Sequence, residues 1–188
     1  MIMDNFHLMA KPAGPACNLN CTYCFYLEKR NLFNPGPTTM SDPVLEAYIE
    51  KYIRSQKGPV VEFTWQGGEP TLAGLAFFQR AIQFQKKYRG RKQVRNSLQT
   101  NGTLINEQWC RFLKKNHFLV GISFDGPAEH HNNFRRNHAG NPTHQRVERA
   151  IQLLKKYQVD FNVLTTVNAM NSREPRKRCV NVTRRDHE

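Results

Sequence analysis

Acidic residues are the scarcest large class in this chain: 15 Asp and Glu stand against 28 Lys and Arg in 188 residues, a net charge of +13. Long apolar runs are missing too. No stretch approaches the roughly 18 to 20 residues a membrane-spanning helix needs, so no span is expected. The first residues, Met-Ile-Met-Asp-Asn-Phe-His, have neither a basic start nor a long apolar segment and do not read as a secretory signal. Cysteines are few, five in all, and the count is odd with three of them inside eight residues. That excludes a paired disulfide framework and points to a reducing, cytoplasmic setting with a metal or cluster site. The mixed composition, 39% hydrophobic and 11% aromatic, excludes collagen, coiled coil and wholesale disorder. It suits one compact domain with a real core.

The positive charge suggests nucleic acid at first sight. Its distribution argues otherwise. Pairs such as Lys86-Lys87, Lys114-Lys115 and Lys155-Lys156 fall near the ends of helical patterns, where cations suit the helix dipole and solvent. Nucleic acid is therefore not expected as a partner, nor is a membrane.

The hydrophobic period switches repeatedly between two and 3.6. Phe6, Leu8 and Ala10 alternate as a first strand. Ser41-Asp42-Pro43 offers a cap and an N-terminal proline before a helical stripe of Val44, Leu45, Tyr48, Ile49, Tyr52 and Ile53. Val60 to Trp65 reads as a strand, Leu75 to Gln85 as a helix, Val94 to Thr100 as a strand, and Ile105 to Leu113 as a helix. Phe118 to Ser123 is nearly all apolar, as a strand buried on both faces would be. Thr143 can cap a helix carrying Val147, Ala150, Ile151 and Leu154, and Val159 to Val167 alternates as a fifth strand. Five strands with four helices between them predict an α/β fold with a parallel sheet. Two long segments break the rhythm, Gly14 to Thr39 and Gly126 to Pro142, and both follow strand C-terminal ends, where such folds place ligands. From Asn171 to Glu188 six Lys or Arg and three Asp or Glu stand without apolar periodicity, which reads as a disordered basic tail.

Cys17, Cys21 and Cys24 form C-x3-C-x2-C. Three thiolates in one loop can bind three corners of a [4Fe–4S] cube and leave one iron open, the logic of a catalytic site. The alternative is a zinc knot completed by a histidine, against which stands the lack of a second cysteine pair downstream.

This motif, followed by Phe25, resembles that of the radical S-adenosylmethionine (SAM) enzymes. The longer string, Lys11-Pro12-Ala13-Gly14, Cys17-Asn18-Leu19 and Cys24-Phe25-Tyr26-Leu27-Glu28-Lys29, resembles the anaerobic sulfatase-maturating enzymes. The resemblance implies a [4Fe–4S] cluster on Cys17, Cys21 and Cys24 that binds SAM through its amino and carboxylate groups. It also implies reductive cleavage of SAM to a 5′-deoxyadenosyl radical, and oxidation of a sulfatase Cys or Ser to Cα-formylglycine. The implied partners are a sulfatase polypeptide and a reducing electron donor such as flavodoxin or ferredoxin.

Other loops fit the resemblance. Gln66-Gly67-Gly68-Glu69-Pro70 follows the second strand. Two glycines alone are most often a tight turn, but Gly67, Gly68 and Glu69 complete a GGEP motif that in the family contacts the SAM amino group. Gln99-Thr100-Asn101-Gly102 ends the third strand and Ser123-Phe124-Asp125-Gly126-Pro127 the fourth. The resemblance gives Ser123 a SAM contact, while Asp125 is either a loop-orienting group or a turn cap. Arg135 matches an arginine that pairs with the SAM carboxylate, and Asn132 replaces the family's aspartate nearby, which removes a negative charge beside that arginine. Tyr23 matches a SAM-contact position, and Tyr26 could reach adenine. No residue of the chain matches the family's catalytic aspartate base.

The family's fold is a partial (β/α)6 barrel followed by an auxiliary-cluster domain. The expectation here is a radical SAM core over residues 1–170, truncated to about five parallel strands with outer helices, a tail over 171–188 and no auxiliary-cluster domain. Two alternatives stay open: a non-catalytic remnant or regulatory partner of a sulfatase system, and a basic zinc- or nucleic-acid-binding protein.

Overall fold

The computed structural model describes residues 6–29, Leu32 and 39–173. Five parallel strands, β1 (Leu8–Ala10), β2 (Val60–Trp65), β3 (Gln93–Thr100), β4 (Phe118–Ser123) and β5 (Phe161–Leu164), lie in sequence order in one sheet. The helices are α1 (Tyr26–Lys29), α2 (Asp42–Ser55), α3 (Leu75–Tyr88), α4 (Glu107–Lys115), α5 (Ala128–Phe134) and α6 (His144–Lys156). The α/β architecture expected from the alternating periods is what is found.

Local chemistry explains most boundaries. Pro43 sits in the first turn of α2, where its missing N–H costs nothing. The Asn106 side chain accepts from the Trp109 N–H (3.0 Å) and starts α4. The N-cap of α6 is supplied from elsewhere. Thr143 makes no capping bond; instead Asn132 Oδ1 accepts from both Thr143 N–H (3.0 Å) and His144 N–H (2.9 Å).

The core lies between one face of the sheet and its helices. Val61, Phe63 and Trp65 of β2, Leu98 of β3, and Val120 and Ile122 of β4 pack against Leu45, Ile49, Phe77, Phe78, Leu113 and Leu154. Trp65 meets Phe77 and Phe78 edge-on, the arrangement ring quadrupoles favour.

Among the described residues the other face is open. Leu119 of β4 is 43% exposed, so β4 is buried on one face and not on both. Among the described residues the helices cover one side of the sheet, and the apolar run of β4 overstates its burial. The open face carries polar groups: His7 Nε2 bonds Thr64 Oγ1 (2.9 Å), which bonds Ser97 Oγ (2.9 Å).

β5 is shorter than its alternation suggests. Beyond Leu164 the chain turns to bind its neighbour: Thr165 Oγ1 donates to Phe124 O (2.7 Å) and Thr166 N–H to Asp125 Oδ1 (3.0 Å). Asn171–Arg173 form a short 3-10 turn with Asn171 buried, and the expected disorder of 174–188 lies outside the described residues.

Candidate cofactor site

All five strands end on one edge of the sheet, and the motif loops gather there. The first follows β1 and carries the cysteines. It is pinned to the segment after α5 by Asn20 N–H to Arg136 O (2.8 Å), Thr22 N–H to Phe134 O (3.0 Å) and a bridge between Leu19 and Asn137. His138 Nε2 bonds Cys17 O (2.9 Å). Cys17, Cys21 and Cys24 are free thiols, Cys21 buried and the others half-buried. Two N–H groups approach the Cys17 sulfur, Leu19 N–H at 3.3 Å and Asn101 Nδ2 at 3.7 Å. Burial raises the Cys17 thiol above its ordinary range. Burial pushes Cys21 up to about 11, with Arg135 pulling the other way and Cys17 and Cys24 adding to the rise. The three thiols lie on one loop, Cys17 to Cys24.

Among the described residues no three His, Cys, Asp or Glu side chains surround a position for a single ion. A zinc site would draw its thiolates to about 2.3 Å from one centre. A [4Fe–4S] cube instead takes one thiolate on each of three separate irons.

The loop after β2 touches the cysteine loop backbone to backbone. Gly68 N–H donates to Gly14 O (2.9 Å) and Glu69 N–H to Ala16 O (2.7 Å). A Cβ on Gly68 would stand 2.1 Å from Ala16 O, and Gly67 has φ +130°. Only glycine permits both. The two glycines therefore serve a close approach inside the protein, which their reading as ligand-facing residues did not foresee.

Glu69 is fully buried, and its carboxylate accepts four hydrogen bonds. Oε1 accepts from Thr71 N–H (3.0 Å), Thr71 Oγ1 (2.6 Å) and Thr100 Oγ1 (2.7 Å), and Oε2 accepts from Asn101 N–H (2.7 Å). Burial raises its pKa despite those bonds, since every donor is neutral. Through Asn101, Glu69 braces Cys17 and Asn18, whose Oδ1 accepts from Asn101 Nδ2 (2.9 Å).

A second carboxylate braces the opposite side. Asp125, also fully buried, accepts from Arg135 Nε (2.8 Å) and Nη2 (3.3 Å), from Thr166 N–H, and from the Tyr23 hydroxyl in a short bond. Burial pushes its carboxyl up, and the bonds and charge of Arg135 overcome that and leave it below its usual value. Asp125 N–H donates to His131 Nδ1 (3.3 Å), and His131 Nε2 bonds Thr143 Oγ1 (3.1 Å). Burial and the nearby Arg135 push His131 down to about 4.

Arg135 is thus buried and already paired with Asp125 through Nε and Nη2. Its Cζ lies 5.4 Å from the Tyr23 ring centre. Asn132 points to the start of α6, so the charge beside Arg135 is that of Asp125, and the exchange of the family's aspartate for Asn132 leaves it in place. Ser123, at the end of β4, accepts from Gln99 Nε2 (3.2 Å). Tyr26 is buried under the Lys11 ammonium, 5.1 Å from its ring centre, and packs on Phe25. The sequence left Asp125 undecided and missed Asn101 as a donor to sulfur. An Asp in a strand-ending turn, ten residues before an Arg, was the available signal.

Residues 12–177 match the Radical SAM superfamily, whose members use a [4Fe–4S] cluster and SAM. The chain is 46% identical over 170 residues to a serine-type anaerobic sulfatase-maturating enzyme of Bacteroides thetaiotaomicron, covering 90% of this chain and 41% of that protein. It is 46% identical over 179 residues to a cysteine-type enzyme of Clostridium perfringens, covering 93% and 48%. Its fold overlays native anSMEcpe with bound AdoMet and Cp18Cys peptide at TM-score 0.84 and 44% identity, covering 92% of this chain and 46% of that one. The chain spans less than half the length of these relatives. A match over so much of its length, with the three-cysteine loop at the strand ends, means that this chain belongs to the radical SAM superfamily.

Proposed function

We propose that Cys17, Cys21 and Cys24 hold a [4Fe–4S] cluster, that SAM binds beside it, and that the chain carries the SAM-cleaving core, over residues 1–170, of a sulfatase-maturating activity. The observation that carries this reading is the trio of free thiols on one loop, braced from both sides by buried carboxylates where all five strands end. Bound there, the cluster would supply the electron that splits SAM, drawn from a donor such as flavodoxin or ferredoxin.

The protein's own groups divide the remaining work. Because the Glu69 carboxylate already accepts four bonds and its carbonyl takes the Leu72 N–H, the GGEP loop would meet the SAM amino group through the backbone carbonyls of Gly67 and Gly68. Arg135 offers Nη1 to the SAM carboxylate while Asp125 holds the other side of its fork. Ser123 stands at the end of β4 for a hydroxyl contact, Tyr23 lies within the cysteine loop between Cys21 and Cys24, and Tyr26 follows it. A sulfatase segment bearing Cys or Ser is the substrate. No helix among the described residues is long and apolar enough to cross a membrane, and we place the protein in the cytoplasm.

The test is anaerobic reconstitution with iron and sulfide, then SAM and dithionite. Release of 5′-deoxyadenosine and methionine, absent from a Cys17→Ala variant, is expected. A cluster without SAM cleavage would favour a non-catalytic role. Stoichiometric zinc with no cluster would contradict the reading.

A further inference from the structure

Glu69 and Asp125 differ in one respect that bears on redox chemistry: only Asp125 is paired with a charge. Arg135 is buried, so its field is little screened by solvent. It also lies against the cysteine loop. The Thr22 N–H to Phe134 O bond (3.0 Å) places Cys21 and Arg135 on adjoining segments, each one residue from that bond. The Tyr23 hydroxyl reaches Asp125 from the same loop, and the guanidinium faces the Tyr23 ring. Asp125 is tied to three further segments, the end of α5 through Arg135, the loop after β5 through Thr166 and α5 itself through His131. Its position is fixed from every side.

We propose that Asp125 is a positioning residue that anchors and neutralises Arg135 beside Cys21, and that this pair sets the reduction potential of the cluster on the cysteine loop. This rests on the reading of that loop as the cluster site. Nearby net charge is one of the levers on such potentials. Reduction adds negative charge to the cluster, so an uncompensated cation beside it favours the reduced state and an uncompensated anion disfavours it. Asp125 keeps the net charge of the Asp125–Arg135 pair near zero.

The test is an anaerobic redox titration of the reconstituted chain, followed by electron paramagnetic resonance at mildly alkaline pH. Asp125→Asn uncovers Arg135 and raises the midpoint potential. Arg135→Gln uncovers Asp125 and lowers it. The double variant restores neutrality and returns towards the parent. A bracing role alone would move both single variants the same way, or neither, and either result overturns the proposal. Asp125→Glu keeps the charge while disturbing the packing, and its potential stays at the parent value. Should Asp125→Asn fail to hold iron, Arg135→Gln against Asp125→Glu gives the same sign test, and equal potentials there overturn the proposal. A parent chain that takes up no cluster defeats the functional reading itself. A parent that does, with unsplit potentials, defeats only this inference.

Discussion

The two buried carboxylates of the site invite comparison. Glu69 closes β2 and Asp125 closes β4, both are wholly buried, and each accepts four hydrogen bonds. Glu69 is held by neutral donors, and burial leaves its pKa raised. Asp125 is held by a guanidinium, which outweighs burial and leaves its pKa lowered. One brace works by hydrogen-bond geometry and steadies Cys17 through Asn101. The other works by charge and steadies the Cys21 side through Tyr23 and Arg135. The same residue chemistry thus serves two purposes, set by what faces it.

The comparison can be broken most forcefully at Asp125. Asp125→Asn strips a buried Arg135 of its counter-ion and should cost about 3 to 5 kcal/mol. Adding Arg135→Gln should recover part of that loss, a coupling visible in thermal melts of the four proteins.

His131 gives the next largest effect. It accepts from Asp125 N–H at Nδ1, so it must be neutral there. Its folded pKa of about 4 lies below the ordinary histidine value of about 6.5, so between these values the unfolded chain binds the extra proton. Stability is full above about pH 6.5 and falls by about 3 kcal/mol as pH drops to about 4. Melting temperatures across that window should slope in the parent, and His131→Gln should flatten the slope.

Glu69→Gln should be milder. The amide oxygen can keep the three bonds of Oε1, but its nitrogen would face the Asn101 N–H, donor against donor. A loss of about 1 to 3 kcal/mol is expected in denaturant titration. The smallest effect belongs to the exposed pair Arg111–Glu107, 3.0 Å apart on α4. Glu107→Gln should leave the denaturant midpoint almost unchanged, although Lys156 also reaches this carboxylate, and that marks the difference burial makes.

Much of the fold was legible because period and chemistry agreed. β2 and β4 have the bounds their apolar runs suggest. α5 was not legible: Ala128-Glu129-His130-His131-Asn132-Asn133-Phe134 has no apolar stripe, and its fold depends on contacts with β4 and α6. β5 was read too long because Thr165 and Val167 continue its alternation while Thr165 bonds out of the sheet. In the site, residue types pointed to the cysteine loop and its neighbours. They could not show that Gly68 answers to Ala16, that the Glu69 carboxylate already accepts four bonds, or that Asn132 caps α6. Those depend on which loops meet, and strand order decides that.

The central claim is that the three thiols of one braced loop hold a single cluster. Its most direct test is iron and acid-labile sulfide per chain after anaerobic reconstitution, in the parent and in Cys17→Ala, Cys21→Ala and Cys24→Ala. The account predicts about four irons per parent chain and loss of the cluster in each variant. A parent that binds no iron, or variants that keep the full complement, would contradict it.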